Sequence, residues 1–395
     1  MSEQLFHIIG ISDNPQQELT HDAEAAIATG KVFSGGKRHY ELMHSRLPEG
    51  SRWIEITVPL ADVFKQYNGI PEIIVFASGD PLFYGFAATV QRELPEAEIK
   101  VYPTFNSLQM LAHRMLLPYQ DMRAVSLTGR PWIDFDAALI NRERLIGLLT
   151  DHNKSPREIA KRMLEYGYDN YSITIGECMG NPIQEHVRTM SVKEVAGTDF
   201  RFPNCMILQI TERRSKLFGI PEERFELLDG RVNMITKMPI RLATLAALEL
   251  GRRRSFWDIG FCTGSVSIEA RLLFPHLEIT AFEKRLEGEN LLAINSRRFG
   301  APGINGVIGD FLELEPTAYP APDAVFIGGH GGHMAQMLAL INRVLLPNGV
   351  IVFNSVSCES TAMFREGVAA IGRSVTGQTE IKVDEHNTIK ILKAE

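Results

Sequence analysis

Short runs of apolar, often β-branched residues recur along the chain, and each is followed by a turn signal and a stretch with helical spacing. The apolar runs lack strict alternation with polar residues, which indicates strands that are buried on both faces. Strands that alternate with helices predict parallel sheets built from βαβ units, and therefore an α/β fold. The clearest runs are EIIVFASGDP (72–81), SFWDIGFCTG (255–264), LEITAFEK (277–284), DAVFIGG (323–329) and GVIVFNS (349–355).

A change of composition near residues 211–229 predicts a domain boundary. This segment is rich in charge and contains Gly219-Ile220-Pro221, and it separates two α/β stretches. Charge combined with glycine and proline is typical of an exposed connector. We therefore expect two different α/β domains, 1–215 and 216–395.

Composition narrows the class of protein. The chain has 395 residues, of which 45% are hydrophobic and 23% charged, as in ordinary globular proteins. Its formal net charge of −7 argues against broad, charge-driven binding of nucleic acid. The four cysteines form no CxxC pair, and no stretch predicts a signal peptide or a membrane helix. We therefore expect a reduced, cytoplasmic protein without a structural metal site.

The pattern D-x-G-x-x-x-G in the C-terminal half predicts a nucleotide-type cofactor site. Asp258, Gly260 and Gly264 lie between an expected strand and an expected helix. Glu283, nineteen residues after Gly264, ends the next strand and is placed to bind two ribose hydroxyls. Asp310 ends a third strand and is placed near an adenine edge.

The ligand of this site follows from the acidic residue beside the glycines. A dinucleotide would require GxGxxG and a pyrophosphate at the helix N-terminus. A carboxylate at Asp258 suits a cationic, amino-acid-bearing ligand such as S-adenosylmethionine better. The alternative, that the glycines only form tight turns, explains the loop but not the acidic residues at three successive strand ends.

A second candidate loop, Ser78-Gly79-Asp80-Pro81, follows a buried strand in the N-terminal half. Ligands of α/β sheets bind at the carboxyl ends of the strands, which favours a site here. A plain turn in which Asp80 caps a helix fits these residues equally well.

Ten short segments, in order along nearly the whole chain, resemble the tetrapyrrole (corrin) methyltransferase family fused to the decarboxylating methyltransferases of cobalamin biosynthesis. The C-terminal segments are 219–225, 236–241, 257–270 and 323–332. Cys262 departs from the family, which usually has glycine there, and we expect it to adopt an ordinary backbone angle. The N-terminal segments are 7–11, 35–39, 78–85, 103–109, 127–130 and 176–177.

The resemblance implies an N-terminal tetrapyrrole methylase domain of two α/β subdomains and a C-terminal Rossmann-like class I methyltransferase domain. It implies methylation of C5 by the first domain, and methylation of C15 with decarboxylation of the C12 acetate by the second. S-adenosylmethionine is the implied cofactor, and the implied partners are a small tetrapyrrole substrate and a second copy of the chain, with no nucleic acid or membrane.

The resemblance also implies site residues. No side chain is expected to act as a nucleophile or strong base, and no metal is expected. His330 and His333 are interpreted as ordinary loop histidines. The expected ligands of substrate carboxylates are Arg38, Arg130, Lys237 and Arg241. The expected cofactor-binding residues are Gly10, Ser78, Gly79, Asp80, Pro81, Ser107, Thr236, Asp258, Gly260, Cys262, Gly264, Glu283, Asp310 and Gly328.

Two other functions remain open from the residues. The C-terminal cofactor loop alone would also serve a methyltransferase of RNA or protein. A non-catalytic tetrapyrrole-binding scaffold with degenerate loops is the second alternative, and it predicts no cofactor site where the enzyme predicts two per chain.

Overall fold

The computed structural model describes residues 4–231, 233–383 and 388–395. Their contacts group into two compact units. Unit 1 comprises the described residues up to Arg130 together with Arg144–Lys161 and Tyr171–Thr211. Unit 2 comprises Pro131–Glu143, Arg162–Asn170 and the described residues from Glu212 onward.

Unit 1 contains two sheets, and a helix lies between most of their successive strands along the chain. The first sheet is parallel, in the order β3-β2-β4-β1-β5, and the second is mixed, in the order β6-β7-β10-β8-β9. The strands are β1 (Leu5–Ile11), β2 (Val32–Gly35), β3 (Arg52–Glu55), β4 (Glu72–Ser78), β5 (Glu98–Tyr102), β6 (Arg123–Ser126), β7 (Leu145–Leu149), β8 (Tyr171–Glu177), β9 (His186–Ser191) and β10 (Asn204–Ile210).

Unit 2 contains one sheet in the order β13-β12-β11-β14-β15-β17-β16. The pairs from β13 to β15 are parallel, and β17 pairs antiparallel with both β15 and β16. The order reverses next to β11, which is where α/β sheets bind ligands. The strands are β11 (Ser255–Ile259), β12 (Glu278–Glu283), β13 (Ile304–Ile308), β14 (Ala324–Ile327), β15 (Val350–Ser355), β16 (Val375–Ile381) and β17 (Ile389–Ala394).

Helices alternate with these strands, so the predicted α/β class is confirmed. Strands β11 and β14 are buried at every residue, which explains why their sequences lack polar alternation. The helices are α1 (His21–Thr29), α2 (Lys37–Met43), α3 (Leu60–Tyr67), α4 (Phe86–Glu93), α5 (Ser107–Arg114), α6 (Ile133–Ile140), α7 (Pro156–Glu165), α8 (Val192–Ala196), α9 (Met238–Leu248), α10 (Ser265–Leu273), α11 (Glu287–Phe299), α12 (Met334–Val344) and α13 (Cys358–Ala370).

A buried carboxylate explains why residues 131–143 group with unit 2. Asp136, on α6, is fully buried, and its two oxygens accept hydrogen bonds of 2.8 and 2.7 Å from Arg162. The guanidinium of Arg271, on α10, lies 3.7 Å from the same carboxylate. Sequence analysis assigns residues 131–143 to the first domain because spacing along the chain does not show which charges pair in space.

The segment around residues 219–228 differs from the exposed connector that its composition predicts. Ile220, Phe225 and Leu228 are buried. The carboxylate of Glu269, on α10, accepts hydrogen bonds from the backbone N–H groups of Gly219 and Ile220. The same carboxylate accepts a hydrogen bond of 2.6 Å from Arg241 Nε, on α9, so Glu269 links the segment to both α9 and α10.

The Arg241–Glu269 ion pair predicts a measurable loss of stability. Arg241→Met leaves the buried Glu269 carboxylate without its countercharge, which should lower the free energy of unfolding by about 3 to 5 kcal/mol. Urea denaturation measures this loss. Lys65→Met, which removes the exposed Lys65–Asp62 pair, is the control and should cost less than about 1 kcal/mol. A loss as small as that of the control would contradict the assigned role of Arg241.

Candidate functional site

Unit 2 contains a cavity of about 1050 Å³ at the carboxyl ends of its parallel strands. Because β11, β12, β13 and β14 run parallel, the loops that follow them meet at one edge of the sheet. The lining includes residues from each of these loops, namely 260–263, 283–285, 309–312 and 328–331. Two of the three predicted strand-end carboxylates, Glu283 and Asp310, therefore lie at this site.

Two glycines allow the loops after β11 and β14 to touch. A Cβ at Gly260 would lie 3.2 Å from the backbone nitrogen of Gly329, and Gly260 has a φ of +82°. A Cβ at Gly328 would lie 3.0 Å from the carbonyl oxygen of Gly260. Both glycines line the cavity, so a ligand there meets bare backbone.

Glu283 presents a carboxylate to this cavity. Its side chain is buried and lines the site at the end of β12. One oxygen accepts a hydrogen bond of 2.9 Å from the Cys262 N–H, and the other accepts one of 3.0 Å from the Arg285 N–H. Carboxylate oxygens hold further lone pairs, so Glu283 retains acceptor capacity for ligand hydroxyl groups.

Cys262 lines the cavity, but its backbone differs from the ordinary angle expected from the sequence. Its φ is +50°, in the left-handed region that favours glycine. The bond from its N–H to Glu283 and the adjoining Gly260 turn hold this conformation. Burial and the nearby Glu283 charge raise the pKa of the Cys262 thiol.

Asp258 does not line the cavity, in contrast to the cofactor contact predicted for it. The side chain is fully buried below the loop, where Oδ2 accepts hydrogen bonds from Ser267 N–H (3.1 Å) and Ser267 Oγ (2.6 Å). Oδ1 is buried with no hydrogen-bond partner among the described residues. Gly264 also lies outside the lining; it is the N-cap residue that directly precedes α10, with a φ of +76°.

The remaining predicted residues of unit 2 divide into two groups. Thr236, Lys237 and Asp310 line the cavity. Lys284 donates a hydrogen bond of 2.6 Å to Asp310 and holds the pKa of that carboxyl below its usual range. Arg241 lies outside the lining and is 0% exposed.

The buried position of Arg241 corrects its predicted role as a ligand of substrate carboxylates. Its guanidinium hydrogen-bonds to Glu269 and to the backbone carbonyl groups of Thr236 and Ile220. Arg241 therefore supports the segment next to the cavity instead of facing the ligand. Residue type indicates a cation but does not show which way it faces.

His330 and His333, which the sequence pattern indicates to be ordinary loop histidines, also line this cavity. They belong to the glycine-rich run GGHGGH (328–333), which directly follows β14. Within the described residues, no group of three His, Cys, Asp or Glu side chains is arranged to hold a metal ion.

Unit 1 contains a second cavity, of about 560 Å³, next to the carboxyl ends of β1 and β4. Of the residues predicted for it, Ser78, Gly79, Ser107, Arg38 and Arg130 line it. The structure thus brings residues from four separate sequence motifs to one place.

Three predicted residues of unit 1 lie outside this lining. Gly10 instead packs against the loop, since a Cβ there would lie 2.0 Å from the Gly79 carbonyl oxygen. Asp80 forms a turn, with Oδ1 accepting a hydrogen bond of 2.9 Å from the Leu82 N–H, and Pro81 continues that turn. These residues shape the loop without facing the cavity.

Aromatic side chains that the sequence analysis did not select also line this cavity. Tyr84, Phe105 and Phe202 are 44%, 56% and 47% exposed. The guanidinium carbon of Arg130 lies 5.3 Å from the centre of the Tyr84 ring. Tyr84 and Phe105 lie inside segments 78–85 and 103–109, which carry the family resemblance, whereas no motif in the sequence indicates Phe202.

Comparisons with known proteins match the two parts of the chain to two different family models. A family model described as tetrapyrrole (corrin/porphyrin) methylases matches residues 6–196, and one described as a precorrin methyltransferase domain matches residues 228–390. A precorrin-6Y C(5,15)-methyltransferase [decarboxylating] from Sinorhizobium is 29% identical over 369 residues, which cover 93% of this chain and 88% of the relative. The chain belongs to this family of decarboxylating methyltransferases.

Two shorter relatives each match one part of the chain. A cobalt-precorrin-6B C(15)-methyltransferase (decarboxylating) from Salmonella typhimurium is 37% identical over 145 residues, 37% of this chain and 74% of the relative. A cobalt-precorrin-7 C(5)-methyltransferase from the same organism is 27% identical over 178 residues, 44% of this chain and 84% of the relative. The substrates named for these relatives are corrin precursors, not RNA or protein.

The buried Asp258 predicts a pH-dependent contribution to stability. Burial, together with the Glu283 charge, raises the pKa of Asp258 from 3.8 to about 7. The folded protein therefore binds this proton more tightly than the unfolded chain. The resulting stabilisation is full below pH 3.8 and is lost as the pH rises through about 7.

Asp258→Asn removes this titration and keeps an oxygen acceptor for Ser267. The melting temperature of the variant relative to wild type should therefore rise between pH 5 and pH 8.5, as measured by thermal denaturation. Asp62→Asn, at an exposed position of α3, controls for loss of a surface carboxylate. A difference between Asp258→Asn and wild type that stays constant with pH would contradict this account.

Proposed function

We propose that the chain methylates C5 and C15 of a corrin precursor and removes CO₂ from its C12 acetate. Unit 1 methylates C5, and unit 2 methylates C15 and decarboxylates. This proposal rests on the observation that each unit has its own cavity at the carboxyl ends of parallel strands, and that glycine backbone lines each cavity. This matches the pair of activities named for the full-length relatives.

The residues of the unit 2 cavity fit S-adenosylmethionine. Glu283 offers carboxylate oxygens to ribose hydroxyls, Asp310 lies on the adjoining strand end, and Gly260 and Gly328 leave space that a Cβ would fill. In unit 1, Ser78, Gly79 and Ser107 line the corresponding position. When bound, S-adenosylmethionine supplies an electrophilic methyl group.

The protein's own contribution is positioning. The reduced macrocycle provides the nucleophilic carbon, so the transfer depends on alignment at near-attack distance more than on a strong base. In decarboxylation the electron pair of the broken C–C bond passes into the conjugated ring. Arg38 and Arg130 in unit 1 and Lys237 in unit 2 bind substrate carboxylates.

The half-exposed rings of Tyr84, Phe105 and Phe202 support a flat, conjugated substrate in unit 1. Aromatic faces contact such a ring over a large area and exclude water from it. No helix within the described residues is long and apolar enough to cross a membrane. Self-association and a cytoplasmic location stay predictions.

The direct test is incubation of the full chain with precorrin-6Y and S-adenosylmethionine labelled in its methyl group, followed by mass spectrometry. The proposal predicts a product with two labelled methyl groups that has lost one CO₂. A product without the label, or one that retains the acetate carboxylate, would overturn the proposed function.

Two variants test whether unit 1 catalyses C5 methylation and unit 2 catalyses C15 methylation and decarboxylation. Glu283→Ala should abolish CO₂ loss and C15 methylation, because it removes the carboxylate of the unit 2 cavity. Gly79→Ala should stop C5 methylation and leave CO₂ loss and one methyl transfer, because its Cβ would lie 2.7 Å from Asn106 Cα. Mass spectrometry of the products distinguishes the two patterns.

Matched controls lie outside both cavities. Glu289→Ala removes an exposed carboxylate of α11, and Gly69→Ala adds a Cβ at a φ of +76° with no atom within 4 Å. Both controls should retain the complete reaction. An identical product pattern for Glu283→Ala and Gly79→Ala would show that the activities are not divided as proposed.

A further inference from the structure

Hydrogen bonds in the unit 1 cavity fix the tautomer of His39. The Gly36 N–H donates to His39 Nδ1 at 3.2 Å, so Nδ1 is the acceptor and Nε2 carries the proton. Nε2 lies 2.9 Å from Ser78 Oγ and therefore donates to it. Burial, together with the Arg38 charge, lowers the pKa of His39 to about 4, which keeps the ring neutral.

The Ser78 hydroxyl group is thereby left with one free hydrogen. A serine oxygen has two acceptor positions and one O–H donor. Here Oγ accepts from His39 Nε2–H and, at 3.4 Å, from Arg38 Nη2–H. The hydrogen bonds of the described residues give the Ser78 hydrogen no acceptor, and the exposed side chain ends β4 at the cavity.

Arg38 is held in place beside this hydroxyl group. Its Nη1 lies 3.5 Å from Asp13 Oδ1, and Asp13 is nearly buried. The Arg38 guanidinium and the Ser78 O–H therefore stand side by side as two donors on the cavity wall. Paired donors, one of them cationic, are suited to a carboxylate group.

We propose that His39 is a positioning residue that orients the Ser78 hydroxyl group as a donor to a carboxylate of the ligand bound in unit 1. The proposal rests on the function proposed above. The carboxylate belongs either to an acidic side chain of the tetrapyrrole or to the amino acid moiety of the cofactor, and the test separates these sources.

The test measures kcat and KM for C5 methylation by the full chain, with CO₂ loss as an internal control from unit 2. His39→Phe and Ser78→Ala should each reduce kcat/KM for C5 methylation roughly ten- to a hundredfold, the value of a hydrogen bond to a charged group. CO₂ loss should be unchanged. An unchanged rate of C5 methylation in either variant would overturn the proposal.

A conservative variant and a double variant separate positioning from a general structural role. His39→Gln keeps an N–H donor within reach of Ser78 and should recover most of the lost rate. His39→Phe combined with Ser78→Ala should be no slower than Ser78→Ala, because His39 acts through Ser78. Failure of the Gln variant to recover the rate, or multiplication of the two effects, would overturn the proposal.

His44→Phe, at an exposed position outside the cavity lining, is the matched histidine control and should behave as wild type.

Calorimetric titration of Ser78→Ala with S-adenosylhomocysteine identifies the source of the carboxylate. Weaker binding at one site assigns it to the cofactor, and unchanged binding with a raised tetrapyrrole KM assigns it to the substrate. If Ser78→Ala alters neither the binding of S-adenosylhomocysteine nor the KM for the tetrapyrrole, the proposal is overturned. A wild-type chain that does not methylate C5 would instead refute the proposed function.

Discussion

Both cavities depend on backbone segments that approach each other too closely to admit a side chain. In unit 1, a Cβ on Gly10 would lie 2.0 Å from the Gly79 carbonyl oxygen. In unit 2, Gly260 and Gly328 pack the loops after β11 and β14 in the same way. Parallel strands bring these loops to one edge, and the glycines let the edge hold a ligand against bare backbone.

The sequence was sufficient to predict this edge, because its signals are local. Apolar runs ending in glycine and an acidic residue mark strand ends, and parallel pairing then brings Glu283 and Asp310 to the same cavity. The orientation of side chains was not predictable in this way. Asp258 and Arg241 carry charges that suit a ligand, yet both face inward because Ser267 and Glu269 provide partners on α10.

Two further differences between the structure expected from the sequence and the observed structure have the same physical origin. The segment around Ile220 is charged in composition, but its few apolar residues are spaced to bury against α10 and α11, and Glu269 binds its backbone N–H groups. Cys262 adopts a left-handed φ because the loop geometry is set by Glu283 and the neighbouring glycine. Tertiary contacts of this kind cannot be predicted from a single sequence.

The central claim is that each unit binds its own molecule of methyl donor. Isothermal titration calorimetry of the full chain with S-adenosylhomocysteine measures this most directly. The account predicts two equivalents bound per chain, falling to one when Glu283 is replaced by Ala. Binding of one equivalent or none to the wild-type chain would contradict it.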